Sequence, residues 1–120
     1  MTQKQIENKF TKVLHPSLKN NLFINIVDYS FDTDEGIVEF LDEDFNILYK
    51  FDPRMFKHLY WYLQNPDVNY QKALNSNNPL DNVLAIIDKN TGKRSLDDWH
   101  PKNHNDELIT FFYNLRKKFQ

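Results

Sequence analysis

The chain contains no cysteine, so disulfides and thiol chemistry are both excluded. Its two glycines, Gly36 and Gly92, leave no room for a glycine-rich phosphate loop. The stretch NTGKRS, 90–95, lacks the upstream Gly that such a loop needs, and a tight turn is expected there instead. The stretch DTDEG, 32–36, has neither the Asp/Asn spacing around Gly36 nor the terminal Glu of a calcium loop. No apolar run approaches the roughly 20 residues that span a bilayer. The opening MTQKQIENKF has no apolar signal-peptide core. A soluble, cytoplasmic protein without membrane contact is the expectation.

Alanine and arginine are also scarce, at 2 and 3 residues, against 15 Asn and 12 Lys. That bias is the mark of an AT-rich genome, such as a low-GC bacterium or its phage. A net charge of −2 argues against a nucleic-acid binder. What is abundant is aromatic: 18 of 120 residues are Phe, Tyr or Trp, and large rings must be buried or face a partner.

The length suits one domain, 1–120. Thr2 with Gln5 reads as a capping box, and Ile6, Phe10, Val13 and Leu14 recur at helical spacing over about 3–14. Residues 21–31, 36–41 and 45–51 read as strands joined by short polar links, a three-stranded antiparallel meander. The third strand would place Phe45, Ile47, Tyr49 and Phe51 on one face. Asp52-Pro53 opens a helix running to about Leu63, and 67–76 suggests a short one. NSNNPLD, 75–81, reads as a loop, NVLAIID, 82–88, as a strand, and 93–96 as a strand pairing back on it. A final helix over 105–119 carries Leu108, Phe111, Phe112, Leu115 and Phe119 on one face, with Arg116, Lys117 and Lys118 at its C-terminal end. The expected fold is α+β: an antiparallel sheet of meander plus hairpin, packed by N-terminal, central and C-terminal helices.

Two features point to function. Residues 28–44 hold eight acids (Asp28, Asp32, Asp34, Glu35, Glu39, Asp42, Glu43 and Asp44) and no base. Such a block either protects a sheet edge from aggregation or offers an electronegative face to a basic partner. The second feature is Trp61. With Leu59 at the centre of the buried stripe, Met55, Phe56, Tyr62 and Leu63 cluster around it, whereas Trp61 falls at about 200°. It sits on the polar face, where a Trp is either covered by another segment or serves as an interface anchor.

These features predict a non-catalytic intracellular module of inhibitor or immunity type. It would bind a basic protein, such as a toxin or a nucleic-acid-binding enzyme, through Asp32, Asp34, Glu35, Glu39, Asp42, Glu43, Asp44 and Trp61, with no cofactor and no metal. A second reading is a metal-dependent hydrolase or nuclease built on His100 and His104 with Asp97, Asp98 and Asp106, although Pro101 interrupts any helix through both histidines. A third is a secretion chaperone, whose element order is similar, or a phage structural subunit. Either would call for an apolar association face.

Overall fold

A computed structural model describes residues 1–33, 35–99 and 106–120. The fold is α+β, a three-stranded antiparallel sheet packed by helices. Helix α1 spans Gln3–Val13, with Thr2 and Gln5 completing the capping box. Strands β1 (Phe23–Ser30), β2 (Glu35–Leu41) and β3 (Ile47–Lys50) form the meander in the order β1-β2-β3. Asp52 caps the short turn Pro53–Met55, and α2 follows over Phe56–Gln64. Pro66 then opens α3 (Pro66–Leu74) at its first position.

The expected hairpin over 82–96 is absent. Its first half lies in α4 (Pro79–Ile87) and its second in α5 (Lys93–Trp99). Residues 75–81, expected as a loop, hold the start signal: Asn78 Oδ1 accepts from the backbone N–H groups of Leu80 and Asp81, with Pro79 at the first helical position. The misreading has a physical cause. Every residue from Leu80 to Ile87 is buried, and a helix covered on all sides loses the polar stripe by which a 3.6-residue period is recognised. Its polar residues are satisfied by neighbouring backbone: Asn82 Nδ2 donates to the carbonyls of Ala73 and Ser76, each at 2.9 Å. The strand pairing that Asp88 does make is a different one. Leu14 and Asp88 form an isolated antiparallel bridge at the ends of α1 and α4.

Helix α4 packs against α2, α3 and α6 (Glu107–Phe119). The sheet closes one side of this core with Ile26, Val38 and Phe40, all buried, and with the partly buried Ile24. Gly36 lets β1 and β2 approach there, since a Cβ would come to 2.7 Å from Ile26 Cγ2. The residues of opposite parity face away. Phe23 pairs with Leu41 and Val27 with Ile37, and none of the four packs on the core cluster. The meander therefore has a second, open face, apolar at these four positions and crossed by the polar row of Asn25, Glu39 and Lys50.

The apolar stripe of α6 divides in the same way. Phe112 is core as expected, but Ile109 and Arg116 share its buried line. Leu108, Leu115 and Phe119 are only partly buried, and Phe111 is 44% exposed. Phe45, Ile47 and Tyr49, expected as one face of β3, are likewise exposed, while Phe51 is buried. A bulge explains part of this. The β2–β3 register shifts between Phe40 and Leu41, so Tyr49 pairs with Phe40 and Ile47 with Leu41, on opposite faces.

Candidate functional site

The β2–β3 turn is organised by Asp42. Its Oδ1 accepts from the N–H groups of Asp44 and Asn46, each at 2.9 Å, and its backbone N–H donates to the Asn46 carbonyl. Phe45 closes the turn with φ 62°, a left-handed position that favours glycine. It is nevertheless 66% exposed, with its ring 5.2 Å from that of Phe23. Ile47, 57% exposed, lies beside it on the open face. An aromatic held in a costly backbone conformation and left in water is the kind of outlier that points to function.

Relieving the strain is expected not to harm the fold. A left-handed backbone costs an L-residue about 1–2 kcal/mol, whereas the Phe23 contact contributes about 0.5–1.5 kcal/mol. Phe45→Gly is therefore expected to hold stability or raise it by up to about 1 kcal/mol, read as an unchanged or higher Tm. A clear drop in Tm would mean that the ring contact outweighs the strain.

The acids of the 28–44 block do not share one environment. Glu39 is 6% exposed; its Oε1 accepts from Asn25 Nδ2 at 3.2 Å, and its Oε2 lies 3.8 Å from Lys50 Nζ. Its carboxylate is engaged within the sheet. Asp28 and Asp32 are exposed. Glu35 borders a hollow of about 530 Å³ that also contains Arg54 and Lys57, so the chain's own cations sit beside that end of β2. Asp34 lies outside the described residues. The turn acids Asp42, Glu43 and Asp44 have no ion pair among the described residues.

Trp61 is 38% exposed and borders a hollow of about 380 Å³ with Lys57, His58 and Asp81, whose lining includes none of the turn acids. This hollow contains a constellation that the sequence did not reveal. His58 Nδ1 lies 3.1 Å from Asp81 Oδ1, and Ser76 Oγ donates to Asp81 Oδ2 at 2.8 Å. The residue types are those of a nucleophile–base–orienter set, but the connections differ. Ser76 binds the carboxylate rather than the imidazole. Asn78 Nδ2 donates to His58 Nε2 at 3.2 Å, and the Asn78 amide cannot turn over because its Oδ1 caps α4. The free lone pair that a general base needs is therefore occupied, and the cluster ties α2 to the start of α4.

His100 and His104 lie outside the described residues. Of the carboxylates expected near them, Asp97 accepts from Tyr113 Oη at 2.7 Å and Lys117 Nζ at 3.1 Å. Those two bonds hold its carboxyl below the usual range. Asp106 caps α6 through the N–H groups of Leu108 and Ile109. No group of three or more His, Asp or Glu placed to hold a metal occurs among the described residues. Nor is any described helix long and apolar enough to cross a membrane.

On the other side of the acidic turn, two hollows meet at Leu48 and Phe111. One, of about 510 Å³, adds Tyr49, Leu108, Asp106 and Glu107. The other, of about 360 Å³, adds Asp42, Glu43, Leu115, Lys118 and Phe119. Together they form an open groove between β3 and α6.

No curated protein and no solved structure matches the chain significantly. The model of the SF0329 protein family matches residues 46–117, from the start of β3 through most of α6. That span is well over half of the chain and includes most of both walls of the groove, so the protein is a member of the SF0329 protein family.

Proposed function

We propose that the protein is a non-catalytic protein-binding module, of inhibitor or immunity type, that docks on a basic protein through the β2–β3 turn. The observation that carries this reading is the turn itself. Asp42, Glu43 and Asp44 have no ion pair among the described residues, and they flank Phe45, which is exposed at a backbone cost. Asp42 is favoured by the turn bonds it accepts, but Glu43 and Asp44 add like charge beside it, which stability alone does not favour. A basic partner would turn that repulsion into attraction, gaining on-rate and specificity more than raw affinity. A large exposed ring among the charges supplies the apolar contact that electrostatics alone lacks.

The test begins with crosslinking in the native host to obtain the partner, followed by association kinetics on the purified pair. Changing Asp42, Glu43 and Asp44 together to Lys is expected to leave the core intact, because none of the three belongs to it, while the turn loses the two backbone bonds that Asp42 Oδ1 accepts. It should slow association and flatten its dependence on salt. The wild-type rate should fall as the Debye length contracts from about 10 Å at 0.1 M to about 3 Å at 1 M. A partner whose association rate ignores both salt and the triple reversal would overturn the reading, leaving the turn as a solubilising sheet edge.

A further inference from the structure

We propose that the groove between β3 and α6 receives a basic amphipathic segment of the partner protein. The proposal rests on the docking role of the acidic turn and names where the partner's chain lies and what it carries. The floor is apolar: Leu48 and Tyr49 from β3 face Leu108, Phe111 and Leu115 from α6. Phe111 is 44% exposed although Phe112 beside it is fully buried. Helix α6 thus carries a second apolar line, offset from the one that faces the core.

Charge identifies the occupant. Asp42 and Glu43 stand at one end of the groove, in the same hollow as Lys118, and Asp106 and Glu107 at the other. None of these four acids has an ion pair among the described residues; Asp42 and Asp106 each accept two backbone N–H bonds through Oδ1 and keep their net charge. An apolar floor between two acidic ends fits a segment with apolar side chains at its centre and Lys or Arg at both ends. A second copy of this chain fits poorly, because pairing groove on groove would bring acid against acid. The outward turn of Phe111 is also explained: a ring that costs solubility on a free surface becomes a contact in a complex.

The probe is a short fluorescent peptide of Leu and Lys at helical spacing, and its control replaces each Lys by Glu. Anisotropy with the full chain reads binding, and backbone amide shifts locate it. The Lys peptide is expected to bind, shifting Leu48, Phe111 and Leu115, and the Glu peptide to fail. Phe111→Ser, at an exposed position, and the pair Asp42→Asn with Glu43→Gln are each expected to weaken binding by at least about tenfold. Asp28→Asn with Asp32→Asn removes as much charge elsewhere and should leave binding within about twofold.

Equal binding by Phe111→Ser would show attraction by charge alone and overturn the proposal, as would amide shifts confined to the open sheet face. A concentration-dependent dimer abolished by Phe111→Ser would overturn it in favour of a second copy. The two readings fail separately. A native partner that responds to the triple Lys reversal at 42–44 but not to Phe111→Ser leaves the docking role standing and removes the groove.

Discussion

Arg116→Met is expected to cost about 3–5 kcal/mol of folding stability, because three buried carbonyls lose their donor at about 1–3 kcal/mol each and relief of the guanidinium's desolvation offsets part of that. Arg116 is completely buried. Its Nη1 donates to the carbonyls of Ile86 at 2.6 Å and Asp88 at 3.2 Å, and its Nη2 donates to the carbonyl of Thr91. These groups end α4 and form the turn after it. The last carbonyls of a helix have no partner within the helix, and here a guanidinium from α6 supplies one while complementing the negative end of the dipole. Burial lowers the guanidinium pKa, opposed by the carboxylates of Asp88 and Asp97.

Met matches much of the volume and removes that desolvation, but it donates nothing. Each buried carbonyl left unpaired costs about 1–3 kcal/mol. Urea unfolding reads the loss. Arg116→Lys should fall between wild type and Met, since one ammonium cannot present the planar fork that reaches three carbonyls. A loss below about 1 kcal/mol for Arg116→Met would mean that the carbonyls find other partners.

Phe112→Ala is expected to cost about 3–5 kcal/mol, the range for truncating a buried aromatic. The ring is fully buried and meets Phe40 edge-on at 5.2 Å. Phe40 in turn touches Phe10 of α1 and Phe51 after β3, each at 5.7 Å. One truncation therefore opens a cavity where α6, α1 and the sheet converge. That loss is a large share of the roughly 5–15 kcal/mol a domain possesses. Thermal or denaturant unfolding measures it, and the neighbouring Phe111→Ser is the internal reference, since an exposed change should stay near ±0.5 kcal/mol. Similar losses for the two would mean that α6 does not turn Phe112 to the core and Phe111 to the groove.

Much of the fold was legible because it is written locally. Thr2 and Gln5 announce α1, Asp52-Pro53 the helix after the sheet, and the polar links at 32–36 and 42–44 the meander. Helix α4 was illegible for the opposite reason. Buried on every side, NVLAII carries no period, and its caps Asn78 and Pro79 also read as loop residues. The candidate site was legible as charge but not as geometry. The run of acids is plain in the sequence, yet Glu39 sinks into the sheet beside Asn25 and Lys50, and Glu35 borders a hollow with Arg54 and Lys57. Those cations come from elements distant in the chain. The strained Phe45 left one faint signal: an aromatic where a three-residue hairpin turn usually places glycine.

The amino-acid sequence by itself determined the α+β class, the three strands, most helix starts and the concentration of negative charge, because capping, alternation and turn chemistry act over a few residues. Tertiary structure alone decided which carboxylates stay unpaired, which face of the sheet remains open, that Arg116 is a core residue and that the stripe of α6 splits between core and groove. Those outcomes depend on which remote surfaces meet. A single chain of letters cannot express that, since burial and charge pairing are properties of neighbours in space.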